Sequence, residues 1–268
     1  MGFTSRDSIL ARKAAGYYQR WNILKKGAQT PEAAGNWVSL WTDPGSPGAA
    51  ANPTTYENCT DFAGSIFNNN VSPGKRYLTD LALTATQNGT IMLYDRLGHI
   101  GAITLSGTGN KTVSSSALPR SMETVDAKNV EAWVEVTTAT TTTAPIISMN
   151  SYTDDYTNGA GRAGGWLTFP STATNQGWMS KLPMQAGDIA VTAVSTINVA
   201  TAASAGACNV VLLRPLAFVP VIANIATVFD LLPNLPRVYD GSSIGIAFMA
   251  SAASTLDIWG TVEFTYDS

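Results

Sequence analysis

The clearest pattern in this chain is the alternation of hydrophobic and polar residues near its C-terminus. One face of this segment collects the apolar side chains Leu256, Ile258, Val262, Phe264 and Tyr266. The opposite face collects Asp257, Thr261, Glu263 and Thr265. Because successive side chains of a β-strand point to opposite faces, this period of two predicts a strand with one face in the core and the other in solvent.

The same alternation predicts further strands upstream. One covers residues 130–136, with Glu131 and Glu135 on its solvent face, and another covers residues 189–199. Shorter apolar runs predict strands near 81–83, 91–94, 166–170, 209–213, 217–223 and 244–250. The Asn88-Gly89 step predicts a hairpin turn after the first of these runs.

The spacing of these runs defines the expected fold. Gly, Pro, Asn and Ser separate the predicted strands, and no helical period lies between them, which argues against parallel βαβ units. We therefore predict an all-β domain over residues 56–268. The expected architecture is an antiparallel β-sandwich of jelly-roll type.

The N-terminal segment shows a different period. Its large side chains recur at spacings of three and four, which predicts one face of an amphipathic helix about 20 residues long. The positions are Leu10, Ala14, Tyr17, Trp21 and Leu24. Thr4 or Ser5 is expected to cap the start of this helix with Asp7 in its first turn, and Gly27 with Pro31 to end it.

A region rich in helix breakers follows this predicted helix. Trp37, Leu40 and Trp41 indicate one more helical turn, and two Pro-Gly steps within residues 44–53 indicate an extended loop or linker. We therefore place a boundary near residue 55. Residues 1–55 form the expected helical arm and linker, a separate unit from the β-domain.

The amino-acid composition limits the classes of function that this chain can have. Only 13% of the residues are Asp, Glu, Lys or Arg, against about 25% in ordinary soluble domains, and His99 is the single histidine. General acid–base and metal chemistry draws on clusters of such residues, so we expect no enzyme, no cofactor and no metal. Cys59 and Cys208 fit neither a metal motif nor a disulfide framework, and we expect free thiols in a reducing cytoplasm.

The charge that is present is unevenly placed. Residues 1–26 carry six cations and one acid, a net +5, which leaves −8 for the rest of a chain whose total is −3. This balance argues against nucleic-acid binding by the protein as a whole. No run of 18 apolar residues predicts a membrane span. The basic segment either packs on its own β-domain or docks on an acidic partner, another copy included.

Three polar clusters invite a chemical interpretation. Asp95 and His99 could form an acid–base pair, but an ion pair that closes a strand, with a histidine in the next turn, is the simpler interpretation. A calcium site or a phosphate-binding loop is a weaker alternative to ordinary Asp-, Asn- and Gly-rich turns. The residues for these two are Asp154, Asp155, Asn158 and Asp188, and the run 159–165.

Several short strings also follow one another in a particular order between about residues 76 and 250. They are Leu93-Tyr94-Asp95-Arg96-Leu97-Gly98-His99 with Gly101, Leu118-Pro119-Arg120, Trp133-Val134-Glu135-Val136, Ser151-Tyr152-Thr153, Gly161-Arg162, Leu182-Pro183-Met184-Gln185-Ala186-Gly187-Asp188 and Leu235-Pro236-Arg237-Val238-Tyr239-Asp240-Gly241. In this order they resemble a family of tailed-bacteriophage virion proteins. The resemblance implies a virion component without fixing its place in the particle, and it supplies no catalytic residues.

The resulting expectation is a capsid decoration or cement protein of a bacteriophage. It should be assembled in the host cytoplasm, form a homo-oligomer such as a trimer, and contact the major capsid protein or other virion proteins. The residues expected to bind the partner are Leu10, Tyr17, Trp21, Leu24, Trp37 and Trp41. The alternatives are a tail or neck component and a carbohydrate-binding β-sandwich at the particle surface, whose tryptophans and tyrosines would line a sugar platform.

Overall fold

The fold was analysed in a computed structural model. It describes residues 3, 5–28, 31, 33–67, 70–113, 118, 120, 122–154, 159–171, 173–230 and 235–267. The helices in this part of the chain are α1 (Arg6–Ala14) and α2 (Thr124–Ala127). The strands are β1 (Tyr18–Ala28), β2 (Trp37–Ser39), β3 (Gly45–Ser46), β4 (Tyr56–Asn58), β5 (Arg76–Ala85), β6 (Gly89–Thr104), β7 (Gly109–Thr112), β8 (Glu131–Thr141), β9 (Ile146–Thr153), β10 (Ala160–Arg162), β11 (Trp166–Thr168), β12 (Trp178–Lys181), β13 (Ala193–Thr201), β14 (Ala205–Val221), β15 (Thr227–Asp230), β16 (Arg237–Val238), β17 (Ser243–Ala250) and β18 (Leu256–Tyr266).

The predicted all-β, antiparallel class is confirmed, and its centre is a closed barrel. Neighbours in the barrel follow the order β14-β8-β12-β2-β17-β6, and β6 pairs back with β14 to close the ring. Closure leaves these strands without a free edge. This strand order does not establish the predicted jelly roll.

Two open sheets flank the barrel. Sheet 1 has the order β15-β5-β18-β1-β3, with β16 also paired to β5. Sheet 2 has the order β10-β9-β13-β7, with β11 also paired to β9. One apolar core lies between sheet 1 and the barrel, and a second lies between sheet 2 and the barrel. Each barrel strand therefore has its outer face buried against a neighbouring sheet.

A third, smaller core fills the inside of the barrel. Its residues come from barrel strands alone: Trp37, Met92, Tyr94, Trp133, Met179, Val211, Leu213 and Ala247. Along β6 these alternate with Ile91 and Leu93, which belong to the core under sheet 1. The barrel strands are thus buried on both faces.

The predicted N-terminal helix is correct only for its first half. α1 ends at Ala14, with Ser5 as the N-cap in a capping box and Asp7 in the first turn, as expected. Residues 18–28 are instead strand β1, between β18 and β3. Gly16, at φ 84°, provides the left-handed turn that ends the helix. In β1 the buried side chains are Ile23 and Lys25, two apart, which is the period of a strand.

Other sequence predictions are also corrected. Residues 37–39 form β2 rather than a helical turn, and Gly45–Ser46 form β3, paired with β1. Strands β5 and β6 do not form the predicted hairpin, since β5 pairs with β18, β15 and β16 in sheet 1 and β6 belongs to the barrel. Residues on both sides of the expected boundary near residue 55 thus share the same sheets.

Several strands were anticipated, some with different limits, whereas β7, β9, β12 and β15 were not predicted. β17 and β18 match their predicted positions, whereas the runs 209–213 and 217–223 are parts of one long strand, β14. Glu135 was expected in solvent on β8 but is 2% exposed, because that face of β8 lines the barrel. Both cysteines are free and buried. Among the described residues no helix is long and apolar enough to cross a membrane.

Candidate functional site

The inside of the barrel holds a buried ion pair. Arg96 on β6 and Glu135 on β8 have side chains 0% and 3% exposed, and Arg96 Nη2 donates to Glu135 Oε2 at 2.7 Å. The Arg96 guanidinium also stacks on the Trp41 ring, 4.4 Å from its centroid. Burial alone would raise the pKa of Glu135, but the charge and hydrogen bond of Arg96 outweigh it, so this pKa is lowered.

His99 belongs to the same network rather than to a turn. It lies in β6, and its Nδ1 accepts from Arg96 Nε at 3.1 Å, so its proton sits on Nε2, 3.4 Å from Glu57 Oε2. The rings of Trp41 and Phe62 enclose it. Burial, followed by the adjacent Arg96 charge, lowers the pKa of His99 to about 2. A histidine held neutral in this way does not exchange protons near neutral pH.

This depressed pKa predicts a loss of stability in mild acid. The unfolded chain takes up a proton below the ordinary histidine pKa of about 6.5, while the folded chain does not until about pH 2. The free energy of unfolding should therefore fall by about 2 kcal/mol between pH 7.5 and pH 5. Urea titrations of the wild type and of His99→Gln measure this, since no other histidine titrates in the window. Equal losses in the two proteins would contradict the assignment.

Asp95 does not join His99 in an acid–base pair. Its Oδ1 accepts from Arg120 Nη2 at 2.7 Å and its Oδ2 from the Ser242 hydroxyl at 3.0 Å, and its side chain is 0% exposed. Arg120 also donates to the carbonyl oxygens of Cys59 and Gly241. Asp95 and Arg120 thus tie three distant segments together, which is a structural role.

A second polar network lies in sheet 2. Arg162 Nη2 donates to Asp188 Oδ1 at 2.8 Å, and the Tyr152 hydroxyl donates to the same carboxylate. Asp188, a candidate calcium ligand, is therefore engaged by a cation, and the run 159–165 forms β10 and the approach to β11. Asp155 and Asn158 lie outside the described residues. Within the described part of the chain no group of three His, Cys, Asp or Glu could hold a metal ion.

The six residues predicted to bind a partner do not form one surface. Leu10, Tyr17 and Leu24 are exposed, at 56%, 42% and 39%. The three tryptophans pack within the fold: Trp21 against Phe67 and the core under sheet 1, Trp37 against Trp133 and Phe218, and Trp41, only 1% exposed, against Phe62 and His99. These tryptophans act as core residues because β1 and β2 are strands of the sheets.

The outer face of sheet 1 is divided into a covered and an open half. In the covered half, Lys13 of α1 donates to Glu263 Oε2 at 2.5 Å, and Arg20 pairs with the same carboxylate. The open half includes two adjacent cross-strand rows with no charged side chain, and Asp257 lies beyond them on the same face. One row is Leu24, Trp259 and Thr84, and the next is Asn22, Thr261, Ala82 and Val228. We call these seven residues the open face; Thr84, at 5% exposed, is its buried member.

The open face exposes large apolar side chains. Leu24 is 39%, Trp259 37% and Val228 71% exposed. Covering such side chains with a partner is energetically favourable, because it removes apolar surface from water. Trp is frequent among the residues that dominate binding energy. The sequence analysis found Leu24 but missed Trp259 and Val228. The signal for Trp259 was available, because it follows Asp257 and precedes Thr261 on the polar face of the C-terminal alternation.

The strings that resemble phage virion proteins meet in these networks. Asp95, Arg96, Arg120, Glu135 and Gly241 come from four of the strings and are joined by ion pairs and hydrogen bonds. The second network likewise combines three strings, those of Tyr152, Arg162 and Asp188. In this chain the strings therefore supply buried polar links between strands.

Comparison with known proteins identifies no family. No protein-family model and no curated protein matches the chain. One solved structure, described as "Structure of infectious bursal disease virus Gt strain", aligns at 12% identity over 93% of this chain and 80% of that chain, with a TM-score of 0.19. A TM-score this low carries no argument about fold or function.

Proposed function

We propose that this protein is a structural component of a bacteriophage virion, a capsid decoration or cement protein that contacts the head shell through its open face. The observation that carries the proposal is the uncharged open face, with Leu24, Trp259 and Val228 exposed on a rigid sheet. The resemblance of the ordered strings to phage virion proteins supports the same function.

The chemistry of the open face suits a permanent contact. Its small Thr, Asn and Ala side chains allow close approach, and its larger apolar ones supply the favourable burial. No charge in its two rows has to be desolvated when a partner covers it. A flat, uncharged strip therefore fits a shell protein better than a soluble ligand, which binds in a concave site.

The proposed function also implies a symmetric oligomer. A decoration protein repeats many times over a shell, and closed oligomers with matching symmetry satisfy all of their contacts. We propose a homotrimer that contacts the major capsid protein or other virion proteins. Leu10 and Tyr17, exposed beside the covered half of sheet 1, are placed to contact a neighbouring copy.

The test compares two exposed tryptophans in different sheets. Trp259→Thr removes the largest side chain of the open face, and Trp166→Thr is the matched control on β11, where Trp166 is 57% exposed. Both substitutions place a β-branched residue, which strands favour, at an exposed strand position, so both variants should fold. We expect purified phage particles to carry at least tenfold less Trp259→Thr protein by quantitative mass spectrometry, and normal amounts of the control.

Equal incorporation of the two variants would refute the role of the open face. Labelling of the wild-type protein on particles, viewed by electron microscopy, tests the location. A label on the head supports decoration, whereas a label on the tail or neck would reassign the protein to that part of the virion. Absence of the protein from purified particles would refute the virion function altogether.

A further inference from the structure

A cavity of about 290 Å³ gathers an unusual share of the chain's positive charge. It lies between residues 71–76, Arg120 and residues 237–240. Four cationic residues line it, Lys75, Arg76, Arg120 and Arg237, in a chain that has 16 Lys and Arg in all. The only carboxylate among its lining residues is that of Asp240.

Most of these charges already have partners. Arg120 pairs with Asp95 at 2.7 Å, while Lys75 and Arg237 share the carboxylate of Glu123, which lies outside the cavity lining. Asp240 accepts hydrogen bonds from the backbone amides of Val71 and Ser72 at 3.0 and 3.2 Å. Two backbone donors therefore already occupy the carboxylate that lies nearest to Arg76.

Arg76 is the exception. Its side chain is 0% exposed, and within the described part of the chain none of its three guanidinium nitrogens makes a hydrogen bond of full geometry. Its polar neighbours are the Asp240 carboxylate, 3.8 Å from Nη2, and Tyr266, whose hydroxyl interacts only weakly with the guanidinium and whose ring centroid is 5.4 Å from the guanidinium carbon. Leaving a buried charged donor without a good acceptor costs more free energy than leaving a neutral donor unpaired. The site thus contains donors in need of an acceptor.

We propose that this cavity binds an oxyanion of the phosphate type, with Arg76 turning from its enclosed position to meet it. A guanidinium presents paired N–H donors that match two oxygens of a phosphate. Lys75, Arg76 and Arg237 approach the cavity from two separate chain segments, which suits a tetrahedral anion better than a planar carboxylate. This site is independent of the open face and of the proposed virion function.

The experiment measures thermal unfolding with inorganic phosphate against sodium chloride of equal ionic strength. Phosphate at about 100 times its dissociation constant should stabilise the wild type by about 2.7 kcal/mol and raise its Tm by a few degrees. Arg76→Gln should abolish this increase, while Arg20→Gln, which removes an exposed arginine outside the cavity, should retain it. Equal stabilisation of both variants would indicate general salt exclusion and overturn the proposal.

Two further variants keep the test decisive if Arg76→Gln does not fold. Arg237→Gln alters a side chain that is 22% exposed and should weaken phosphate binding at least threefold, as measured by ³¹P NMR titration. Asp240→Asn removes the competing negative charge, retains an oxygen acceptor for one of the two backbone amides, and should tighten binding. Unchanged affinity in both variants would overturn the site, and an equal response of the wild type to acetate would overturn its preference for phosphate.

Discussion

Replacing Glu135 with Leu should destabilise the fold by about 3–5 kcal/mol, because it leaves the Arg96 charge inside the barrel without its partner. The Arg96 side chain is 0% exposed and hydrogen-bonds Glu135 and His99. Removal of the carboxylate breaks the charged bond and leaves a neutral imidazole as the remaining acceptor. Urea unfolding, analysed at constant m-value, measures the loss.

The double variant separates the pair from its parts. Arg96→Met together with Glu135→Leu replaces both charges with apolar side chains of similar size, which in other buried pairs is nearly neutral or stabilising. We expect it to recover most of the stability lost in Glu135→Leu. The surface pair between Lys181 and Glu131, 42% and 22% exposed, provides the control. Lys181→Met should cost less than about 1 kcal/mol.

A cost for Glu135→Leu no larger than that for Lys181→Met would contradict the buried pair. A double variant less stable than the single one would show instead that the polar network specifies the barrel, because the Ser39 and Asn209 side chains also hydrogen-bond Glu135. Either result bears on why the strings around Arg96 and Glu135 carry charge within an otherwise apolar barrel.

The limits of a strand were predicted best from the sequence where one face of the strand is exposed to solvent. β18 was found with its limits because Asp257, Trp259 and Thr261 lie on the outer face of sheet 1 and interrupt the apolar positions. The barrel strand β14 is buried on both faces, and it was divided into two shorter strands because Arg214 and Pro215 interrupt its apolar run. The alternation of apolar and polar residues reflects which side chains face solvent. It is therefore a weak signal in strands that are buried on both faces.

The candidate sites depended on information that sequence spacing does not contain. Arg96 and Glu135 are 39 positions apart, and Arg120 and Asp95 are 25 apart, so only the barrel topology shows that they meet. Local reasoning compared Asp95 with His99 instead, because they are close in the chain. The burial of Arg76 was not predictable either, because in the sequence Arg76 is a single charged residue at the start of an apolar run.

The helix predicted for residues 18–28 was wrong for a different reason. Tyr17, Trp21 and Leu24 stand at helical spacing, but Trp21 faces the core of sheet 1 while Leu24 faces solvent. The alternation of Trp21, Ile23 and Lys25 was also present and was weaker as a signal because Lys25 is charged. That lysine is 2% exposed and donates to the carbonyl oxygens of Asp43 and Gly48. Burial lowers its pKa to about 8.

Deletion of residues 1–28 should abolish cooperative folding rather than release a dispensable arm. β1 pairs with β18 along most of its length, from Tyr18 opposite Thr265 to Lys25 opposite Ile258, and it contributes Ile23 to the core under sheet 1. Its loss opens that core and leaves one edge of β18 unpaired, a change comparable to the entire 5–15 kcal/mol stability of a typical domain. Deletion of residues 1–15 removes α1 alone and should cost about 2 kcal/mol or less.

Two neighbouring substitutions decide between strand and helix without a deletion. Ile23→Ala should cost about 2–4 kcal/mol, because Ile23 is 2% exposed, whereas Leu24→Ala should cost less than about 1 kcal/mol, because Leu24 points outward at 39% exposure. The helical alternative puts Leu24 on the apolar face with Trp21 and Tyr17, and leaves Ile23 off it. It therefore predicts the reverse order of the two costs. Thermal or urea unfolding of the two variants distinguishes these outcomes. Circular dichroism of the two truncated proteins tests the deletions. A folded 29–268 fragment that unfolds cooperatively would contradict the role of β1 in sheet 1.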